Sequence, residues 1–367
     1  MTDRVPHHVS SEATPGDRGR AFGEAQRERI ESVAGIYSRL FELSADLDEA
    51  AVRELGEQAL EQVAGWAPEL LEEMEGIASG SGVDLSVIGA LNARTELLAA
   101  AGGATECSTI AVLGTATRDG RPVSIQTWDW HEELADGWLV WEIAHADGRR
   151  VRTLTEAGIV GKIGVSGAGV GVHLNILGHQ HDGPPVGVPV HVACRRALDE
   201  ADGGVSALEL LSTAAVSASS AVTVVADDSE GGVACTVELS PAGPGFVTPD
   251  ARGVLVHTNH FLADPGRPGD RMVREAPDSV LRLDHAQRRM ARLAEGEIDA
   301  AGVLDTLTSH RGGPGAICCH PAPGAGFGDR WTTLATIVLE PAAGEMRVLR
   351  GGPCAHAPSA AVATATA

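Results

Sequence analysis

Residues 102–112 read GGATECSTIAV, and the reading of the fold turns on this junction. A glycine-rich, apolar-poor turn meets Cys107, which opens the strand-like run STIAV. Upstream, from Ala21 to about Ala101, the pattern is helical. Ile30, Val33, Ile36, Tyr37 and Leu40, then Val52, Leu55, Ala59, Leu60 and Val63, recur at three-four spacing, and Asp84 and Ser86 stand as caps before a further helix through Leu98. Downstream, STIAVLG, RPVSIQTWDW, GWLVWEIAHA and RRVRTLTEAG are short apolar or alternating runs between Gly, Asp and Arg turns, which predict strands. GVGVHLNIL, AVTVVAD, GVACTVEL, GVLVHTNH, LATIVLE and MRVLRG read the same way, and 189–201, 206–215, 274–294 and 298–308 read as helices. Two strand groups with helices between and around them predict a layered α+β body. The helical segment 21–106 is expected to pack on the body 107–354, and residues 1–20 and 355–367, polar or small without an apolar stripe, are expected to be disordered ends.

The chain has 367 residues with a formal net charge of −22, a field that repels phosphate backbones and anionic lipid headgroups. Neither nucleic acid nor a membrane is an expected partner. No apolar run is long enough to cross a bilayer and the first twenty residues lack a secretory apolar stretch, so the expected location is the cytoplasm. Aromatic residues make up only 3%, so the core must be aliphatic. The six cysteines show no C-x-x-C spacing and read as reduced thiols.

Cys107 carries the chemistry of this reading. Were the Glu106–Cys107 bond cut, one residue would hold a thiol and a free α-amine, nucleophile and base together. An amine of pKa about 7.7–8.0 can take the proton of a thiol near 8.5, which a peptide nitrogen cannot do. A buried structural cysteine is the alternative. Asp129 lies two residues inside the end of an alternating strand, with Trp128 and Trp130 on the opposite face; it is either a site carboxylate or a turn-adjacent surface residue. Asn92, Asn175 and Asn259 are the only asparagines, and the last two fall in strand-like runs that disfavour Asn. An amide there can donate to a developing oxyanion or satisfy buried backbone groups; Asn259 is the first choice as donor and Asn175 the second. Trp128, Lys162 and His257 are the candidates for substrate contact. Lys162, the only lysine, reads equally as a surface residue at a strand edge.

No cofactor or metal is implied. His173, His179, His181, Asp182, His191, His257 and His260 include the tempting HQHD, but this looks like a loop with no forced third ligand. Cys318-Cys319-His320 is read as a strand end, whose neighbours face opposite ways.

The motifs RGRAFGEAQRERI near the start, NARTEL, ECSTIAV, TWDW at 127–130, GIVGKIGVSGAGVGVHLNIL at 158–177, HTNHF at 257–261, DSVLRL at 278–283 and TTLATIVLEPAAGEMRVLRGGPC at the end occur in one order. As a set they resemble the acyl-coenzyme A:6-aminopenicillanic acid acyltransferase (isopenicillin N acyltransferase-like) family of N-terminal nucleophile hydrolases. Ser166-Gly167 stands where that family commonly has Asn-Ser, and Thr127 where Asn is usual. The resemblance implies a four-layer αββα sandwich and self-cleavage between Glu106 and Cys107 by an N-to-S acyl shift. It implies chains 1–106 and 107–367 that remain associated, Cys107 as nucleophile, Asp129 orienting its amine or thiol, and Asn259 as the oxyanion donor of HTNHF. The expected activity is acyl transfer from a small-molecule amide or acyl-CoA-type thioester to water or an amine. Two rivals stay open: an unprocessed cysteine hydrolase pairing Cys107 with a histidine such as His257, and a non-catalytic binding protein on the same fold.

Overall fold

The computed structural model describes residues 5–99 and 107–356. A short strand β1 (His7–Ser10) precedes five helices: α1 (Pro15–Ala45), α2 (Glu49–Trp66), α3 (Pro68–Ser81), α4 (Leu85–Asn92) and α5 (Arg94–Ala99). There follow β2 (Cys107–Val112), β3 (Val123–His131), β4 (Trp138–Ala144), β5 (Arg150–Glu156), β6 (Ile163–Ser166) and β7 (Val170–Ile176), then α6 (Val190–Glu200) and α7 (Gly204–Ser212). The remainder comprises β8 (Ser220–Ala226), β9 (Val233–Leu239), β10 (Gly245–Val247), β11 (Val254–His257), α8 (Met272–Glu275), α9 (Asp278–Met290), α10 (Ala300–Thr306), β12 (Trp331–Glu340) and β13 (Glu345–Arg350).

The N-terminal residues correct the expectation of a disordered end. His7–Ser10 pair in parallel with Val140–Ile143 of β4, and α1 begins at Pro15 with Thr14 Oγ1 accepting the Asp17 amide. This stretch reads as polar because it buries Arg18, Gly19 and Gly23 around one large apolar side chain, Phe22, and the next buried apolar residue is Ile30. The glycines permit close approach: a Cβ on Gly19 would stand 2.0 Å from the carbonyl oxygen of Glu73, and one on Gly76 2.2 Å from that of Gly16. Backbone contact between α1 and α3 brings Arg18 onto Glu73, which also receives Arg195 of α6 at 2.6 Å, so the helical segment is tied by buried charge to the body.

Two sheets lie face to face. One has eight strands in the order β1-β4-β5-β6-β7-β8-β9-β10, the other five antiparallel strands in the order β11-β2-β3-β12-β13. β2 packs across the gap on β7 and β8, and β12 on β6; α6 and α7 cover the outer face of the larger sheet, α9 and α10 that of the smaller. These are the four layers of an αββα sandwich. Ile110, Ile125, Val256 and Val338 meet Ala286, Met290 and Val303 beneath the smaller sheet, while the larger core joins α1–α5 to both sheets. A strand covered on both faces does not alternate, so every residue of β2 and of β3 is buried. Among the described residues no helix is long and apolar enough to cross a membrane.

Candidate active site

Cys107 opens β2, an interior strand of the smaller sheet between β11 and β3, where it is paired with Trp128 of β3 and 4% exposed. Its backbone nitrogen donates to Asn259 Oδ1 at 2.8 Å. Its carbonyl oxygen accepts from Asn175 Nδ2 at 3.1 Å and Arg282 Nη1 at 3.0 Å, and its Sγ lies 3.9 Å from the Asp129 carbonyl oxygen. Burial pushes the Cys107 thiol up to about 12 and the charge of Asp129 adds to this, while Lys162 and Arg282 pull the other way. In the intact chain the thiol is therefore protonated at neutral pH and calls for a base.

The structure gathers Cys107, Asp129, Asn175 and Asn259. Asn175 on β7 spans the gap between the sheets: besides holding the Cys107 carbonyl, its Oδ1 accepts from Thr109 Oγ1 at 2.7 Å and from Gln126 Nε2 at 3.3 Å. Asn259 stands two residues past the end of β11 rather than inside a strand, because its backbone amide turns to Ser279 Oγ at 2.8 Å on α9. Its Nδ2 donates to the Ile176 carbonyl at 2.9 Å, which aims its oxygen at Cys107. Asp129 is fully buried, which removes the surface alternative. Glu106 lies outside the described residues.

The three candidates for substrate contact sit differently from expectation. Lys162 is not on the surface: it is 2% exposed, its Nζ donates to Glu156 Oε2 at 2.7 Å, and it rests 3.8 Å from the Trp128 ring centroid. Burial and the neighbouring Arg94 hold Lys162 down to about 7. Although burial opposes it, Arg94 and Lys162 together keep Glu156 well below the usual carboxylate range. Trp128, 1% exposed, forms the wall behind this pair. His257 has its Nε2 2.8 Å from Glu238 Oε1 and its Nδ1 2.9 Å from the Thr258 carbonyl, so both ring nitrogens are engaged away from Cys107. That geometry disfavours a Cys107–His257 pair.

Arg282 is the residue that sequence reasoning missed. It is 2% exposed on α9, and its guanidinium reaches the Cys107 carbonyl, Ser108 Oγ (3.3 Å), Asn259 Oδ1 (3.0 Å) and Asp278 Oδ2 (3.2 Å). Its signals in the sequence are its place in DSVLRL and the Asp278–Arg282 spacing of four, the latter ordinary for a surface helix pair. Cys318-Cys319-His320 also departs from expectation. It is an irregular turn and not a strand end, with Cys318 and His320 turned to one side and Cys319 Sγ turned back to the Pro314 carbonyl.

Two packed sheets between helical layers, with a cysteine at the head of an interior strand, define a protein of the N-terminal nucleophile hydrolase fold. The chain belongs to the acyl-coenzyme A:6-aminopenicillanic acid acyltransferase family, whose sequence profile matches residues 115–354. It is 32% identical over 281 residues, 74% of each chain, to the acyl-coenzyme A:6-aminopenicillanic-acid-acyltransferase 40 kDa form of Emericella nidulans. Among solved structures, an N-acylethanolamine-hydrolyzing acid amidase ortholog from Caenorhabditis elegans is similar at 15% identity and a TM-score of 0.45, over 64% of this chain and 93% of that one. Penicillin V acylase from Agrobacterium tumefaciens is similar at 10% identity and a TM-score of 0.44, over 64% and 80%.

Proposed function

We propose that the chain is a self-processing cysteine amidohydrolase or acyltransferase with Cys107 as nucleophile. In processing, Cys107 Sγ attacks the Glu106 carbonyl carbon and the C–N bond breaks. The nitrogen takes up a proton, and water hydrolyses the resulting thioester to leave a Glu106 carboxylate and a free Cys107 α-amine. In turnover that amine takes the thiol proton, and the thiolate adds to the carbonyl of a small-molecule amide or acyl-CoA-type thioester. The leaving amine or thiol departs with the proton, and water or an amine resolves the acyl-enzyme.

The observation that carries this reading is the 2.8 Å contact between Asn259 Oδ1 and the Cys107 nitrogen, the atom that becomes the base. Arg282 on the same oxygen keeps the amide turned that way, and its positive charge stands beside the reacting residue. Asp129 orients the amine and thiol, while the Asn259 amide group supplies a donor as charge develops on the substrate oxygen. Association of the two chains after cleavage is supported by buried contacts between residues on either side of the bond. These include Arg94–Glu156 and Arg195–Glu73, with Asn92 Nδ2 on the Gly158 carbonyl and the Val160 amide on Asn92 Oδ1.

Trapping the intermediate tests the proposal. Rapid acid quenching of the mature protein with a panel of acyl thioesters and amides should give a 107–367 fragment heavier by one acyl group, lost with Cys107→Ser. Acylation at another residue, or none across the panel, would contradict it.

A further inference from the structure

His310, Cys318, His320 and Cys354 come together from three separate stretches of chain. His310 follows α10, Cys318 and His320 flank Cys319 in the turn before β12, and Cys354 lies in the short turn Pro353–Ala355 after β13. Their donor atoms all lie within 4.8 Å of one another. His320 Nε2 is 3.6 Å from Cys318 Sγ, 3.6 Å from Cys354 Sγ and 3.1 Å from His310 Nε2.

A neutral imidazole nitrogen has either one proton or one lone pair, so it cannot satisfy three polar neighbours at once. A cation at their common centre can. Bonds of about 2.3 Å to sulfur and about 2.0–2.1 Å to nitrogen, set tetrahedrally, place sulfur and nitrogen about 3.6 Å apart and two nitrogens about 3.3 Å apart. The two sulfur–nitrogen separations here equal that edge, and the nitrogen pair is close to it. We propose that these four side chains form a structural zinc site, with two thiolates and two imidazoles around one ion. Two sulfurs and two nitrogens in a tetrahedral set favour zinc over the oxygen-seeking magnesium and calcium. On binding, the thiols release their protons to solvent, and the two thiolates balance the ion's charge.

The surroundings favour a built site. Cys319 leaves the cluster to bond the Pro314 carbonyl through Sγ, and its backbone exchanges hydrogen bonds with Thr333, the amide donating to Thr333 Oγ1 at 3.0 Å and the carbonyl accepting from Thr333 N at 3.1 Å. That zipping sets Cys318 and His320 on the same side. A Cβ on Gly352 would lie 2.6 Å from Cys318 Sγ, so the glycine lets the segment carrying Cys354 pass over Cys318. Cys318 is buried and both histidines are exposed, which leaves an entry path from the imidazole side. With four protein ligands the ion has no open position and does no chemistry. It clamps the C-terminal turn to the loop before β12, whose Thr333 pairs with Asp129 of β3, so the clamp stands one strand away from the catalytic carboxylate proposed above.

Metal analysis of the full chain, expressed with zinc and dialysed under reducing conditions into metal-free buffer, tests the proposal. About one zinc per chain is expected, falling at least fivefold in Cys318→Ser/Cys354→Ser. Because buried Cys318 could affect folding, the exposed-side variant His310→Ala provides the second reading. In the cobalt-loaded protein it should weaken or shift the tetrahedral d–d bands while leaving thiolate-to-metal absorption in place. Substoichiometric zinc with no thiolate absorption on adding cobalt, full zinc in the double cysteine variant, or a disulfide between Cys318 and Cys354 in protein kept reduced would each overturn it.

Discussion

The side-chain oxygen of Asn259 lies 2.8 Å from the backbone nitrogen of Cys107, and Arg282 reaches the same oxygen at 3.0 Å. One amide thus joins the strand that begins with the cysteine to the helix that carries the arginine.

Asn259→Ala removes this acceptor, and on cleaved protein it should lower turnover by about 10²-fold. Asn259→Asp keeps an oxygen towards Cys107 but loses the donor, and should fall by a similar factor. Steady-state rates of both variants decide between two roles: near-normal turnover in Asn259→Asp would confine the residue to holding the nitrogen. Asn175→Ala, by contrast, should act mainly on stability, since its amide bonds Thr109, Gln126 and the Cys107 carbonyl across the sheets.

Asp129→Asn keeps the size of a fully buried side chain and removes its charge. Processing or turnover should fall by about 10²-fold or more, as for a positioned catalytic group. Gel analysis of cleavage together with turnover checks this, and unchanged values for both would make Asp129 architectural.

The strands around the junction were legible because β2 and β3 are short apolar or alternating runs set between turns, and the asparagines were legible because they are scarce in this chain, although of the two only Asn175 lies in a strand. Arg282 was not, since a buried arginine on an amphipathic helix looks the same as the exposed Arg288 and the half-buried Arg289 further along it. Nor was Lys162: glycines around it suggested an edge, whereas Glu156, six residues earlier, draws it inward. The N-terminal strand HHVS has no alternating pattern, and only its pairing with β4 reveals it. His310, Cys318, His320 and Cys354 lie too far apart along the chain for their spacing to announce a site.

Arg94 of α5 and Glu156 of β5 form an ion pair at 3.0 Å with neither side chain exposed, across the expected cleavage point. In a Cys107→Ala background, Arg94→Met leaves the carboxylate with Lys162 and Tyr37 alone and should cost about 3–5 kcal/mol in urea unfolding. A loss below about 1 kcal/mol would show that the helical segment is held by apolar packing instead.

Glu96, whose Oε1 accepts the Val190 amide at 2.9 Å at the start of α6, is raised by burial from 4.5 to about 7. The folded state therefore binds a proton that the unfolded state has released. The associated stability is complete below about pH 4.5 and is lost as pH rises through about 7. Glu96→Gln should match the parent protein near pH 4 and exceed it at about pH 8, by about 1–3 kcal/mol. Denaturant midpoints at the two pH values test the sign; a variant less stable at pH 8 would refute it.

The central claim is that Cys107 cuts its own peptide bond, and the mass of the purified chain tests it most directly. Wild-type protein analysed under denaturing conditions should give two fragments, one beginning Cys-Ser-Thr-Ile, while Cys107→Ala should remain a single folded chain of about 38 kDa. Cleavage at the same bond in the alanine variant, or a wild-type chain that stays intact while turning over substrate, would contradict the account.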